Sequence, residues 1–298
     1  MHGPVTAWAF ATLTMLACGR EEADLLMPGF EAGLPPIGDA PPLLDNVAPP
    51  DRDVVGPVAD AMTPHDGLPP PDVAPCAGWA AQFTATSSLS VARPVEDDFT
   101  IEAWIKTTVS RKGSMFYHGS GVIYADAPSG SNPLGANDFG TAILNDRFAF
   151  GIGNPDNTLE SNTQVTTGQW VHVAATRDMA AGQARVFVNG VDEGSVTTTQ
   201  KGSLTDQATL YLGCTLNDQN HFIGQMDEVR IWNVVRTEAE IAATMRQRLT
   251  GREPRLVAYW RFDDRGGLTA VDSSPAKADA TIAGMLEWVA SDAPICGP

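Results

Sequence analysis

Several side chains of the sequence are suited to binding an ion. Asn137-Asp138 and Asn217-Asp218 each place an amide oxygen beside a carboxylate. Calcium takes six to eight oxygen ligands, often from Asp and Asn side chains and loop carbonyls. We therefore predict Asn137, Asp138, Asn217 and Asp218 as metal ligands, with Ca²⁺ as the cofactor. Ordinary turns also favour Asn and Asp, so a purely structural role for these residues stays open.

A carbohydrate site combines an aromatic ring, which packs on a sugar face, with polar groups that fix the sugar's orientation. Tyr124 fits this pattern, because Asp126 follows two residues later within a glycine-rich stretch from 113 to 153. We expect Tyr124 to lie in a loop with its ring available. The predicted ligand-binding residues are Tyr124, Asp126, Asn137 and Asp138.

Patterns that would indicate catalysis are absent from the sequence. There is no glucanase-type Glu-x-Asp-x-Glu run, no His-Glu-x-x-His zinc motif, no Gly-x-Ser-x-Gly elbow and no phosphate-binding Walker loop. Asp227 and Glu228 are adjacent, and adjacent side chains of a strand face opposite ways. We expect these two to be structural carboxylates on opposite faces. The protein is predicted not to be an enzyme and to have no catalytic residue.

The elements that must position the candidate residues are short β-strands. The segment 100–107 alternates, with Ile101, Ala103 and Ile105 on one face. At least seven such runs, separated by turn signals, predict an antiparallel two-sheet sandwich. Asn189-Gly190 predicts a type I′ hairpin, because both positions accept positive φ.

A single helix is predicted after most of the strands. Thr237 and Glu240 form a capping box, and Gly251 is a natural C-terminal stop. The apolar stripe of the helix comprises Ile241, Met245 and Leu249. One helix after many strands favours a sandwich with a helical connection over an α/β repeat.

Before the strands, the chain has a different composition. Thirteen of its 22 prolines fall between residues 20 and 75, where acidic residues outnumber basic ones by 11 to 2. Proline fixes φ and removes a backbone donor, so neither a helix nor a central strand is expected there. We predict a disordered Pro/Asp-rich linker over 18–75, followed by a folded domain over 76–298.

Charge and hydropathy exclude two classes of partner. The chain of 298 residues has a formal net charge of −17, whereas nucleic-acid binding requires a basic patch. No apolar run is long enough for a transmembrane helix. We expect no nucleic-acid partner, and membrane contact only through a lipid anchor.

The first residues indicate such an anchor. An uncharged apolar core ends in Met15-Leu16-Ala17-Cys18-Gly19, which resembles the lipoprotein box of bacterial precursors. The resemblance implies a signal peptide over 1–17, lipidation of Cys18, and a location in the bacterial cell envelope, as an outer-membrane lipoprotein or a secreted protein. A plain secretory signal with an incidental cysteine is the alternative.

Five motifs of the folded part, in the right order, resemble laminin-G-like jelly-roll domains of the concanavalin A-like lectin/glucanase superfamily, and the match covers nearly all of 79–290. They comprise Asp98–Ile105, Gln169–Ala174 followed by Arg185–Gly190, Leu212-Gly213 through Phe222–Trp232 and on to Glu240-Ile241, Leu256–Asp263, and Asp272-Ser273-Ser274. The resemblance implies an all-β, antiparallel two-sheet jelly-roll sandwich (concanavalin A-like) with one short helix. It also implies binding of carbohydrate, protein or calcium without naming one ligand.

The resemblance bears on the cysteines as well. Jelly-roll termini usually lie side by side, which implies a Cys76–Cys296 disulfide in an oxidising compartment. Cys214 is expected to be a semi-buried thiol and not a nucleophile.

We therefore expect a surface-anchored, non-catalytic binding module whose partner is a glycan, with calcium assisting. A structural or protein-adhesion domain that binds an envelope protein and has no sugar site is the alternative. A degenerate glycosidase is the third reading, against which the missing carboxylate strand argues.

Overall fold

A computed structural model of the chain describes residues 78–127, 136–215 and 219–296. The predicted signal peptide, the Pro/Asp-rich linker, Cys18 and Cys76 lie outside these ranges, as do Asn217 and Asp218. Within the ranges, no helix has the length and apolar character needed to cross a bilayer.

Strands dominate the described part of the chain. The sixteen strands are β1 Gly78–Phe83, β2 Ser88–Ala92, β3 Phe99–Lys106, β4 Ser120–Ala125, β5 Phe139–Leu144, β6 Arg147–Ile152, β7 Asn157–Gln164, β8 Val171–Asp178, β9 Gln183–Val188, β10 Val191–Thr197, β11 Thr209–Leu212, β12 Gly224–Trp232, β13 Leu256–Trp260, β14 Thr269–Ala270, β15 Ala280–Ala283 and β16 Glu287–Ser291. A single 3₁₀ turn, Phe116–His118, and a single helix, α1 Glu238–Thr244, accompany them.

The strands form two antiparallel sheets. In the first sheet the order is β10-β9-β8-β3-β12-β1-β16, with β13 also paired to β12. In the second the order is β14-β15-β2-β11-β4-β5-β6-β7. The predicted all-β sandwich with one short helix is thereby confirmed.

The core lies between the two sheets and follows from strand alternation. Ile101, Ala103 and Ile105 of β3 face it, as predicted. Aromatic rings join the sheets directly, since Phe99 of β3 and Phe139 of β5 have ring centroids 4.6 Å apart. Burying such side chains removes apolar area from water, and each large side chain stabilises the fold by about 1.5–3 kcal/mol in this way.

The predicted hairpin and capping box are both present. Asn189 and Gly190 join β9 to β10 with φ of 51° and 81°, as a type I′ turn requires. At the start of α1, the Thr237 side chain accepts from the Glu240 amide and the Glu240 side chain accepts from the Thr237 amide. Local sequence therefore determines both features.

The helix is shorter than predicted, because it ends at Thr244 and not near Gly251. The chain after α1 pairs instead with the C-terminal segment: the Cys296 amide donates to the Arg246 carbonyl at 2.9 Å, and the Arg248 amide donates to the Cys296 carbonyl at 3.2 Å. These contacts between distant residues replace the continuing helical bonds. Met245 and Leu249 are still buried.

The prediction that Asp227 and Glu228 lie on separate faces is not supported. β12 shifts register between Asp227 and Arg230, and Glu228 has a positive φ of 51°. Both carboxylates are 1% exposed. Burial raises the pKa of Asp227 well above its usual value, and the Glu228 charge raises it further. The bulge therefore brings the two acids close together inside the protein.

Only Cys296, one of the two cysteines of the predicted disulfide, lies within the described residues. Gly78, two residues after Cys76, pairs with Ser291 of β16, so the two ends of the described fold are neighbours. Cys76 itself lies outside the described residues, and the Cys76–Cys296 bond stays a prediction. Cys214 is fully buried, deeper than the semi-buried position expected.

Candidate functional site

Gly140 of β5 and Gly151 of β6, here called the small-residue strip, leave space for one aromatic ring. A Cβ on Gly151 would lie 1.9 Å from Phe116 Cδ1, and a Cβ on Gly140 would lie 3.0 Å from Phe116 Cε2. Atoms this close would overlap, so only glycine leaves room for Phe116. The Phe116 ring is fully buried as a result.

Because Phe116 is buried against this strip, its neighbours Tyr117 and His118 lie at the surface. Tyr117 is half-buried and His118 exposed, and their ring centroids lie 4.7 Å apart at 73°. The Phe116 amide donates to Thr158 Oγ1 at 2.9 Å, and Asn220 Nδ2 donates to the Tyr117 carbonyl at 3.1 Å. These bonds fix the 3₁₀ turn 116–118, here called the Tyr117 turn.

Three carboxylates, Asp126, Asp138 and Asp156, act on one another and are here called the acidic loop cluster. Burial raises the pKa of Asp138 to about 9, with a further contribution from the hydrogen bond and charge of Asp126. Burial and the Asp126 charge also raise the pKa of Asp156. The Tyr117 pKa is raised by burial first, and then by the charges of Asp156 and Asp126.

Tyr124 does not lie in a loop, which corrects the prediction. It belongs to β4 and is 1% exposed, because its ring lies beside Gly140 and Phe116 at the small-residue strip. Its hydroxyl donates to the Asp126 carboxylate. Tyr124 therefore orients Asp126, while its ring is covered and offers no stacking surface.

Asn137 and Asp138 lie in the same region as Asp126, but the Asn137 side chain is already engaged. Its Oδ1 accepts from Asn154 Nδ2 at 3.0 Å and from Gln200 Nε2. Asp138 Oδ2 accepts from the Ala127 amide at 2.9 Å. Asp138 Oδ1, in contrast, is buried and has no hydrogen-bond partner among the described residues.

The described residues do not by themselves build a calcium site. Within the described ranges, no group of three or more His, Cys, Asp or Glu is arranged to hold a metal ion. Of the predicted ligands, Asn137 is occupied, Asp138 offers one open oxygen, and Asn217 and Asp218 lie outside the described residues. The six to eight oxygens that calcium needs are therefore not assembled in the described part.

Tyr117 lies in the same glycine-rich stretch as Tyr124, and Asp156 lies in the oxygen-rich loop Asn154-Pro155-Asp156-Asn157, but neither was among the predicted site residues. Nothing adjacent to Tyr117 in the sequence marks it, because the residues that seat the turn are Gly140 and Gly151, more than 20 positions away. The available signal was the spacing of glycines on two neighbouring strands. Gly140 and Gly151 are opposite each other in the β5–β6 register.

Comparison with known proteins places this fold. A family model described as "Concanavalin A-like lectin/glucanases superfamily" matches residues 80–242. No curated protein matches the chain.

Several solved structures are similar to the chain. A Bacteroides ovatus protein provisionally described as carbohydrate-binding is 20% identical with a TM-score of 0.54, over 73% of this chain and 61% of that one. Domain 4 of an extracellular arabinanase from Geobacillus stearothermophilus, in complex with arabinotriose, is 20% identical with a TM-score of 0.42, over 55% and 75%. A Ruminococcus gnavus sialidase module bound to α2,3-sialyllactose is 16% identical with a TM-score of 0.43, over 57% and 98%. This chain spans less than two thirds of the first protein, and identities this low establish fold alone.

Proposed function

Because the chain belongs to the concanavalin A-like lectin/glucanase superfamily, we propose that it is a non-catalytic binding module for a glycan. We place its site at the Tyr117 turn and the acidic loop cluster. The proposal concerns one region of the second sheet, near the end of β4 and the starts of β5 and β7.

The observation that carries the proposal is the half-buried Tyr117 ring on a turn fixed by hydrogen bonds, with the charges of Asp156 and Asp126 acting on it. An aromatic face packs against the C–H groups of a sugar, while carboxylate oxygens accept hydrogen bonds from its hydroxyls. The turn is fixed by buried Phe116 and by side-chain bonds to its backbone. A site held rigid before binding loses less conformational entropy when it binds. The first solved structure described above, provisionally assigned to carbohydrate binding, supports the same class of ligand.

Substitution of Tyr117 tests the proposal. The full chain and its Tyr117→Ala and Tyr117→Phe variants are applied to a glycan array, with and without chelator, and Kd is measured for any sugar bound. Tyr117→Ala is expected to weaken binding about tenfold or more, as for a central aromatic contact. Tyr117→Phe keeps the ring and is expected to retain most affinity. An array without signal in either condition contradicts the proposal.

We further propose that calcium assists binding through Asp138. The open, buried Oδ1 of Asp138 supports this proposal, because a cation would compensate a carboxylate that burial otherwise keeps protonated. Calcium titration followed by calorimetry and thermal unfolding tests it. Added Ca²⁺ is expected to raise the Tm of the native chain and to have no effect on Asp138→Asn. An unchanged Tm of the native chain contradicts calcium assistance and leaves glycan binding to be judged separately.

Surface anchoring is a proposal drawn from the N-terminal sequence. A lipidated Cys18 followed by the proline-rich segment 20–75 would hold the module away from the membrane of a bacterial envelope. More than one acyl chain gives stable membrane attachment. Mass spectrometry of the N-terminal peptide from cells tests the anchor, and an unmodified Cys18 contradicts it.

A protein partner in the envelope is the second candidate. Exposed apolar side chains favour it, since Leu268 is 83% and Met285 is 68% exposed near the β14–β15 edge of the second sheet. Exposed apolar patches mark protein interaction sites. If this role is correct, Leu268→Asp abolishes specific capture of one envelope protein and leaves glycan binding unchanged. Capture that depends on Tyr117 instead contradicts it.

A further inference from the structure

A cleft of about 340 Å³ lies beside the Tyr117 turn and has basic walls. Its lining residues are Arg111, Lys112, His118 and Asn220. Three of these four side chains carry or can gain a positive charge. The chain as a whole has a net charge of −17, so the lining of this cleft has the opposite sign to the net charge.

Of the two permanent cations, only Lys112 is neutralised. Lys112 Nζ lies 2.5 Å from Asp146 Oδ2 in an exposed ion pair. The Arg111 side chain is exposed and forms neither a hydrogen bond nor an ion pair with any described residue. Its backbone is nevertheless fixed, since the Asn145 amide donates to the Arg111 carbonyl at 2.8 Å. Arg111 is thus an available guanidinium on an anchored segment.

The other two lining residues, Asn220 and His118, connect the cleft to the proposed sugar site. Asn220 Nδ2 is committed to the Tyr117 carbonyl, and the Asn220 carbonyl accepts from the Gly121 amide at 2.9 Å. Asn220 holds this position at a φ of 44°, which few non-glycine residues adopt. The ring of His118 contacts that of Tyr117. A ligand on the Tyr117 ring therefore has the cleft directly beside it.

The cleft adjoins Tyr117 through two residues: His118 follows it in the chain, and Asn220 is hydrogen-bonded to its carbonyl, and both line the cleft. A neutral sugar would need the aromatic ring and hydrogen-bonding groups, but no cation. The available guanidinium is explained by a ligand that also carries a negative charge, because planar Arg binds carboxylate and sulfate through paired hydrogen bonds.

We propose that the ligand is an acidic saccharide, whose carboxylate or sulfate group binds Arg111 in this cleft while a sugar ring packs on Tyr117. The proposal rests on the proposed glycan-binding function and specifies its ligand class. Asn220 fixes the position of the cleft relative to the ring, because its side chain donates to the Tyr117 carbonyl.

Titration calorimetry on the full chain tests the proposal with three matched probes: a galacturonic acid trisaccharide, a sulfated galactose trisaccharide and a neutral galactose trisaccharide. At low salt, at least one acidic probe is expected to bind about tenfold more tightly than the neutral one, and this preference is expected to shrink in 0.5 M NaCl, since salt screens surface charge. The probe that binds more tightly separates carboxylate from sulfate recognition.

Arg111→Gln is expected to remove the preference for acid and to leave neutral-sugar binding unchanged. Arg252→Gln is the matched control, because Arg252 is exposed on the loop before β13 of the other sheet, and it is expected to keep the preference. Circular dichroism verifies that both variants fold. Equal Kd values for all three probes, or a preference that survives Arg111→Gln, overturns the acidic-ligand proposal while the glycan-binding function stands. A glycan array with no signal overturns both.

Discussion

At the scale of single residues, Asp138 shows how burial changes a carboxylate. In water its pKa would lie near 4, but the folded protein raises it to about 9, through burial first and Asp126 second. The Ala127 amide opposes this by donating to Oδ2. The folded state therefore favours the protonated form of this carboxyl group.

This leads to a prediction for Asp138→Asn. An acid with a raised folded-state pKa favours folding below its unfolded pKa, and this contribution is lost as pH rises from about 4 to about 9. Asparagine mimics the protonated acid and does not ionise. The test compares the unfolding free energy of Asp138→Asn with that of the native chain, in buffer with chelator. The difference in favour of the variant is expected to be larger at pH 8 than at pH 5, by about 1 kcal/mol or more. Urea unfolding at both pH values checks this, and parallel pH profiles contradict it.

At the scale of elements, the strip on β5 and β6 positions the Tyr117 turn, and Gly151 is its critical position. An added Cβ would meet the Phe116 ring at 1.9 Å, so Gly151→Ala is expected to displace the turn. We predict a loss of about 1–3 kcal/mol in unfolding free energy together with weaker glycan binding. Chemical denaturation and calorimetry measure the two effects.

Two further variants control this prediction. Gly202 is exposed, and a Cβ there would lie 3.2 Å from its nearest neighbour, Gln200 Oε1, so Gly202→Ala is expected to change stability by less than about 0.5 kcal/mol. Phe116→Leu in the Gly151→Ala background removes ring atoms and is expected to recover part of the lost stability, as coupled neighbours do. A Gly151→Ala protein with native stability would contradict close packing between Gly151 and the Phe116 ring.

A buried charge network joins β3, β8 and β12 on the first sheet. Glu102 Oε2 lies 3.3 Å from His172 Nε2, and Glu102 Oε1 accepts from Trp232 at 2.8 Å and from Arg236 at 3.1 Å. Burial alone would raise the pKa of Glu102, but the His172 hydrogen bond and the charges of Arg230 and Arg236 lower it to about 2. The network holds the segment before α1 against β3.

The network predicts a large effect for Glu102→Gln. Removing one partner of a buried ion pair leaves uncompensated charge and costs about 3–5 kcal/mol. A carboxylate with a lowered pKa stabilises the fold above its unfolded pKa and loses that effect as pH falls from about 4.5 to about 2. The deficit of the variant is therefore expected at pH 7 and should shrink in acid. Guanidinium unfolding across this range measures it.

Glu287→Gln is the control for this substitution. Glu287 is exposed at the start of edge strand β16, so its loss is expected to change stability by less than about 0.5 kcal/mol. Equal effects of the two variants would contradict a special role for the Glu102 network.

At the scale of the whole molecule, the first and last strands of the described fold are held together. β1 and β16 pair with each other, and the Cys296 backbone also pairs with the segment after α1. A Cys76–Cys296 disulfide would close a loop of about 220 residues, which chain-entropy models value at about 2–5 kcal/mol. Peptide mapping without reductant tests the bond. Cys296→Ser is expected to lower unfolding free energy by this amount, and a chain whose stability does not respond to reductant contradicts the bond.

Sequence patterns with short range predicted much of the fold. Alternation placed Ile101, Ala103 and Ile105 in the core, and the capping box and Asn189-Gly190 hairpin were both correct, because each depends on residues close in the chain. The helix end was wrong, since it depends on pairing with the C-terminal segment. Asp227 and Glu228 were also misplaced, because a bulge in β12 breaks the alternation that the prediction assumed.

The sequence by itself determined the fold class, the pattern of strands and the region in which Asp126, Asn137 and Asp138 meet. Only the tertiary structure decided which aromatic ring is available: it buries Tyr124 beside Gly140 and exposes Tyr117 by seating Phe116 against Gly151. It also brought Arg111 and Asn220, more than 100 positions apart, to one cleft. The physical reason is that exposure and local charge depend on which strands pack side by side, and strand pairing is set by contacts between residues far apart in the chain.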